Sequence, residues 1–245
     1  MTHTKKKVAW FSCGATSAIA CKLALQKDKD VEICYIETGS HHPDNERFLK
    51  QCEEMYGKKI TILKSAYKDV IDVIERIKFI NSPSGAACTL RLKTRVRQQF
   101  EYENKIDTYY WGFESGAKEE NRAKRMKERY PEFKHKFPLI EAGLNKEDCL
   151  YLLEKQGIEI PQMYKLGYHN NNCVGCVKGG MAYWNRIRKD FPDVFQRMAE
   201  TERKIGHSCL KKYFLDELPL DAGRNEKELV PACSIYCGMI DEENK

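Results

Sequence analysis

The sequence predicts an α/β protein: a doubly wound, mostly parallel sheet followed by a helical, cysteine-bearing C-terminal region. Three observations carry this. The apolar run Val8-Ala9-Trp10-Phe11 ends in the small, hydroxyl-rich turn Ser12-Cys13-Gly14-Ala15-Thr16-Ser17 and passes at once into helical spacing at Ala18, Ile19, Leu23 and Ala24. The same strand–loop–helix change recurs through Trp111. Beyond about Pro138 the rhythm gives way to helices and clustered cysteines.

The elements follow in order. A second strand over Val31–Ile36 runs into Glu37-Thr38-Gly39-Ser40 and then His41-His42-Pro43-Asp44. Phe48, Leu49, Cys52 and Met55 share one face of the next helix, and Gly57 precedes a third strand, Ile60–Leu63. A helix spans Val70–Ile77, and a fourth strand, Thr108–Trp111, stops at Gly112. Ligands of such sheets bind beyond the carboxyl ends of the strands, which makes Ser12–Ser17, Glu37–Asp44 and Gly112–Arg122 the candidate active-site loops. The charged stretch Lys118–Arg129 is expected as a surface segment. Later, Asn145 is a candidate helix N-cap with Asp148 three positions on, Gly157 ends that helix, and further helices are expected over Met181–Lys189 and Pro192–Ile205. The expected domains are residues 1–142 and residues 143–245.

At 245 residues, 42% hydrophobic and 32% charged, the chain has the make-up of a globular protein, with a formal net charge of +6. That charge suits an anionic substrate and permits nucleic-acid binding. No apolar run approaches the ~18 residues of a membrane span, no membrane partner is expected, and no leader pattern is evident, so the expected location is cytosolic. Eleven cysteines in a reducing compartment argue against a disulfide framework. Cys21, Cys34, Cys52, Cys149 and Cys209 read as core. Cys13, Cys88, Cys173, Cys176, Cys233 and Cys237 lie in loop-like or glycine-flanked contexts.

The first loop presents backbone amides and hydroxyls at a helix N-terminus, a natural phosphate site. It lacks the Gly-Lys-Ser/Thr ending of the common phosphate loop and the glycine spacing of a dinucleotide fingerprint. Cys173-x-x-Cys176 before Lys178-Gly179-Gly180 has metal-ligand spacing. Cys88 is a candidate third ligand, and Cys233, Cys237, a histidine or an outside group a fourth. Three cysteines with an open position would suit a reactive four-iron cluster, four would suit zinc, and a buried or redox pair needs no metal. Arg91, Lys93, Arg95 and Arg97 are candidates for an oxyanion or for a solvated helix face. Arg122 is a candidate for substrate phosphates, with Glu119 an acceptor or metal partner. Tyr183, Trp184 and the basic Arg186-Ile187-Arg188-Lys189 either contact nucleic acid or pack a helix.

Taken in order, these motifs resemble the phosphoadenylyl-sulfate (PAPS) reductase family of the PP-loop, or adenine nucleotide alpha-hydrolase-like, superfamily. Ser12–Ser17 stands at the PP-loop. Glu37-Thr38-Gly39 resembles the (D/E)TG motif bordering the adenosine site. Cys88-Thr89-Leu90-Arg91-Leu92-Lys93 resembles the cysteine-plus-basic motif, and Gly112–Arg122 and Pro138-Leu139 the next two. Pro161-Gln162-Met163-Tyr164-Lys165-Leu166-Gly167-Tyr168, leading into Cys173-x-x-Cys176, resembles the segment before the late cysteines. The likeness covers roughly residues 8–180 and is nearer to phage-encoded and DNA-sulfur-modification members.

The resemblance implies a Rossmann-like fold and sulfur chemistry through an adenine nucleotide at Ser12, Cys13, Gly14, Ala15, Thr16, Ser17, Glu37, Thr38, Gly39, Arg91, Gly112 and Glu119. Ala87 replaces one cysteine of an adjacent pair, which by the resemblance favours a three-cysteine iron–sulfur cluster, of 4Fe-4S type, on Cys88, Cys173 and Cys176. Cys233 is a further candidate ligand and zinc the alternative metal. In the leading form the enzyme cleaves ATP, with Mg2+ as a candidate cofactor, to adenylate an acceptor such as DNA or tRNA and then transfers sulfur. In the alternative, a sulfonucleotide (APS or PAPS) reductase, Cys237 in Cys237-Gly238-Met239 attacks sulfur while Arg91, Lys93 and Arg122 hold the oxyanion. Cys13 and Thr16 replace a glycine and the aspartate of the ATP-cleaving loop, and the Glu and His flanking the reductase nucleophile are absent. Expected partners are a thioredoxin-like reductant or a cysteine desulfurase, and a second copy in a homodimer. A zinc-containing nucleotide- or nucleic-acid-binding module without turnover is the non-enzyme alternative.

Overall fold

A computed structural model describes residues 5–83 and 85–224. Cys233 and Cys237 lie outside the described residues. The chain forms two compact units that interleave along the sequence. The first comprises Met1–Ile36, Pro43–Leu63 and Arg97–Asn171, and the second Glu37–His42, Lys64–Val96 and Asn172–Lys245. Residue 142, the expected domain boundary, falls within the first unit's third segment.

The first unit is organised by a five-stranded sheet in the order β3-β2-β1-β6-β7. Its strands are β1 (Lys6–Phe11), β2 (Glu32–Glu37), β3 (Thr61–Lys64), β6 (Ile106–Tyr110) and β7 (Lys134–Lys136). β1 pairs in parallel with β2 and with β6, and β6 in parallel with β7. The chain moves outward from β1 to β3, then restarts on β1's other edge. This puts the topological switch between β1 and β6, where a doubly wound sheet opens its crevice.

The sequence explains the packing. Helix α1 (Ala15–Lys27) buries Ala15, Ala18, Ala20 and Ala24, residues small enough for close approach, together with Ile19 and Cys21. Its neighbours are α2 (Asn45–Tyr56), α6 (Pro138–Ala142) and α7 (Lys146–Lys155). Phe11, Ile33, Tyr35, Phe48, Leu139 and Leu153 complete the core. The N-terminus of α7 is a reciprocal capping box: the Asp148 amide donates to Asn145 Oδ1 at 3.0 Å and the Asn145 amide to Asp148 Oδ2 at 2.9 Å. Lys118–Arg129 lies on the surface as expected, in the largely exposed helix α5 (Ala117–Arg129), which buries Arg122, Ala123 and Met126. All five cysteines read as core are buried. Burial raises the Cys52 and Cys149 thiols to about 12, so they behave as apolar groups.

The second unit holds α3 (Val70–Ile77), the hairpin strands β4 (Asn81–Ser82) and β5 (Gly85–Ala86), and a wide π-helical turn, Thr89–Thr94. The chain then enters α4 (Arg95–Glu103), where the Arg95 amide reaches the Leu90 carbonyl five residues back. The unit's later described elements are α9 (Met181–Asp190), α10 (Pro192–Ile205) and a 3-10 turn at Leu215–Glu217. α10 packs on α3, α9 and that turn. The fully buried Glu202 carboxylate accepts the Cys209 and Leu215 amides. No helix among the described residues is long and apolar enough to cross a membrane.

Candidate active site

In the first unit, β1 delivers Ser12–Ser17 to the switch point. Ser17 ties the loop: its hydroxyl accepts the Ser12 amide at 3.0 Å, meets Ser12 Oγ at 3.0 Å and donates to the Gly14 carbonyl at 2.9 Å. Cys13 takes a left-handed backbone, φ 57°, and its side chain is fully buried, so an anion would meet this residue through its backbone. The Ala15 amide donates to the Tyr164 hydroxyl at 3.3 Å. Burial raises Tyr164 to about 12, so that hydroxyl keeps its proton. Gly112 lies against the loop: a Cβ there would stand 2.9 Å from Ser17 Cα. The switch-point loops expected after β1 and β6 therefore meet.

Arg122 is buried over the Phe113 ring, 4.5 Å from its centroid, and pairs with Glu119 at 3.2 Å. The two residues assigned separate duties from sequence are thus partners, and Arg122 keeps a buried Nε without a hydrogen bond. Arg97, at the end of the basic run, is buried against Glu101. Arg95 is exposed.

In the second unit, Cys88, Cys173 and Cys176 line one pocket with Thr38, Thr89 and Lys93, and Val70, Leu92 and Val177 form apolar wall. The pocket is small and opens to solvent on one side. The wide turn after Cys88 turns Thr89, Leu92 and Lys93 to this cavity, a common use of π-type turns. The Thr38-to-His41 segment is clasped to the late cysteines. Val174 N donates to the Ser40 carbonyl at 2.8 Å, Val70 N to Ser40 Oγ at 3.0 Å, and Thr38 Oγ1 lies 3.2 Å from Cys173 Sγ. Gly39 permits this with φ +69°, where a Cβ would meet the Lys68 carbonyl. Tyr183 knits the cysteine turn, its hydroxyl accepting the Cys176 amide at 2.9 Å and donating to the Cys173 carbonyl at 3.2 Å.

The electrostatics make Cys173 unlike the core thiols. Burial alone would raise it, but the His41 charge and hydrogen bond, then Lys93 and Thr38, overcome that and pull it well below an ordinary thiol. Burial alone would lower His41, but the Cys173 thiolate and then Glu37, 3.2 Å away at Nδ1, raise it. These charges favour a thiolate at Cys173, in the cavity wall, with His41 protonated.

Three thiols, one favoured as thiolate, suit an iron–sulfur or zinc centre in kind. Among the described residues, no three His, Cys, Asp or Glu side chains are drawn close enough to hold a metal ion. Tyr183 and Trp184 are buried, and Arg188 lies over Phe195 while donating to the Leu215 and Leu218 carbonyls. These helix groups are packing, which removes the stacking platform that the nucleic-acid reading drew on. Sequence reasoning gave no role to His41, Asn45 or Asn171. His41 carried a signal, standing four residues after Glu37 in a glycine-containing loop.

Of the comparisons with known proteins, one shows the family and another a likeness of fold. A family model, the phosphoadenosine phosphosulfate reductase domain, matches residues 6–180. Two curated relatives come from Methanocaldococcus jannaschii. Uncharacterized protein MJ0973 is 21% identical over 205 residues, covering 80% of this chain and 47% of its own length. Uncharacterized protein MJ0066 is 23% identical over 220 residues, covering 82% and 44%. The chain therefore spans about half the length of the curated relatives it matches. Among solved structures, phosphoadenylyl-sulfate (PAPS) reductase from Candida auris, in a phosphate complex, superposes with a TM-score of 0.52. That match has 12% identity and covers 71% of this chain and 83% of that one, a likeness of fold. With the model covering well over half of the chain, the protein belongs to the phosphoadenosine phosphosulfate reductase domain family.

Proposed function

We propose that this protein binds an adenine nucleotide at Ser12–Ser17 and carries out ATP-dependent adenylation and sulfur transfer, with Cys88, Cys173 and Cys176 holding an iron–sulfur cluster. The observation that carries the reading is the gathering of those three cysteines on one pocket, with Cys173 favoured as thiolate. The Gly14 and Thr16 amides and the exposed Ser12 hydroxyl receive the phosphates at the positive end of α1, while Ser17 holds the loop in shape. An acceptor oxygen attacks the α-phosphorus and pyrophosphate leaves. A sulfur nucleophile then attacks the adenylated carbon and AMP leaves. A cluster held by Cys88, Cys173 and Cys176 would supply a binding point for the sulfur to be transferred. Lys93 places positive charge beside the thiols, and His41 with Thr38 orients Cys173.

The test is metal and product analysis. Protein purified without oxygen is expected to carry iron and acid-labile sulfide, reduced in each of Cys88→Ser, Cys173→Ser and Cys176→Ser. With ATP and acceptor nucleic acid it is expected to release pyrophosphate and AMP. Zinc without iron overturns the cluster. Sulfite formed from a sulfonucleotide in the presence of a dithiol reductant, with AMP released from APS or adenosine 3′,5′-bisphosphate from PAPS and no pyrophosphate from ATP, would move the assignment to the reductase form and to Cys237.

A further inference from the structure

We propose that Asn171, braced by Asn45, is a positioning residue for the phosphate-binding loop, holding Cys13 in the left-handed backbone that aims the loop amides at an anion. The inference rests on the nucleotide reading of that loop. Two non-glycine residues among those described have positive φ, Cys13 and Lys78. Lys78 is an ordinary left-handed helix C-cap. Cys13 has no such excuse, and a side chain at φ 57° needs surrounding contacts to keep it there.

Asn171 supplies one. Its Nδ2 donates to the Cys13 carbonyl at 2.7 Å and to Asn45 Oδ1 at 2.8 Å, and Cys13 Sγ approaches the Asn45 carbonyl at 3.9 Å. In a trans peptide the C=O and the following N–H point in opposite directions. Anchoring the Cys13 carbonyl on Asn171 therefore turns the Gly14 amide away from Asn171. The Ala15 amide is tied separately, to the Tyr164 hydroxyl at 3.3 Å, so Asn171 and Tyr164 each fix one peptide of the loop.

The pair does not recommend itself as core. Both residues are buried, and Asn45 Nδ2 and Asn171 Oδ1 have no hydrogen-bond partner. Apolar groups of the same shape would avoid that cost. What they could not supply is the bond to Cys13.

The decisive experiment uses glycine, which adopts positive φ freely. In the full-length protein, Asn171→Ala is expected to weaken ATP binding about tenfold, the worth of one buried hydrogen bond. It is also expected to speed amide exchange over residues 13–17 in the ligand-free protein. In a Cys13→Gly background the same change should cost less than about threefold. An Asn171→Ala protein with native loop exchange, or an effect undiminished in the glycine background, overturns the inference. If Asn171→Ala does not fold, Asn45→Ala in both backgrounds takes its place with the same outcomes. If the unaltered protein does not bind ATP, the nucleotide reading fails, and the exchange measurement alone decides the role of Asn171.

Discussion

Replacing Gly112 by alanine tests whether the loops beyond β1 and β6 form one phosphate site. The added Cβ would lie 2.9 Å from Ser17 Cα, 3.1 Å from its nitrogen and 3.3 Å from its Cβ. Comfortable carbon contacts begin near 3.5–4.0 Å, so the backbones must part by about 0.6–1 Å. Two of the three atoms are main chain in the first turn of α1, so no rotamer change relieves the clash. Overpacking of this kind costs about 1–3 kcal/mol, which in a chain of this size lowers Tm by about 2–12 °C. Function should suffer more than stability, because Ser17 holds the Ser12 amide, Ser12 Oγ and the Gly14 carbonyl. A misplacement near 1 Å at a reacting site can cost about 100-fold. Thermal unfolding and the rate of pyrophosphate release, measured on the same preparation, separate the two effects. Ser17→Ala should not rescue Gly112→Ala, since the nearest atoms are backbone. An alanine variant with native Tm and native nucleotide affinity would refute the close approach.

Other consequences follow from single contacts. Gly39→Ala sets a Cβ 1.9 Å from the Lys68 carbonyl at φ +69°, so urea unfolding should show a loss of about 3 kcal/mol or more, and a neutral result would dismiss that geometry. Glu202→Ala strands two buried amides, at Cys209 and Leu215; a loss of about 2–5 kcal/mol and faster exchange at Leu215 are expected, and native exchange there would contradict the tie. His135 is lowered below 6.5 by burial and sits between the Trp111 indole N–H at 3.0 Å and the Tyr130 carbonyl at 2.9 Å, which requires a neutral ring. Since the unfolded chain takes up this proton first, stability should fall as pH drops through 6.5 toward the lower folded value, then level off. His135→Gln should remove that part of the slope, and urea midpoints between pH 7.5 and 5 that run parallel in the two proteins would exclude it.

Much of the scaffold was legible because its signals are local. The β1 apolar run, the loop and the small-residue face of α1 lie within twenty residues of each other. Asn145 and Asp148 announced their capping box at a spacing of three, and the helix over residues 192–205 begins with Pro192 in its first turn. What escaped notice is short or non-local. The two-residue strands β4 and β5 have no room for a period, and β7 is three residues long. Its charged pattern, Lys134-His135-Lys136, hides a strand whose central histidine alone is buried. The wide turn after Cys88 comes from its surroundings, since nothing in Thr89–Thr94 forbids an ordinary helix.

The candidate site divides along the same line. Cys88, Cys173 and Cys176 were named from spacing and motif, and a shared pocket is where such residues belong. The groups that condition them act across the chain: Thr38 meets Cys173 over 135 positions, and Asn171 meets Cys13 over 158. Neither contact has a local signature. Cys13 makes the point most sharply, because the sequence placed it among the loop cysteines and in the nucleotide loop, whereas its backbone dihedral and burial make it a strained link whose thiol faces the core. A loop position that takes up a left-handed backbone without glycine needs support from elsewhere. In this chain that support is Asn171, 158 positions along the sequence and braced by Asn45, so the loop's shape is written in two segments that no local pattern connects.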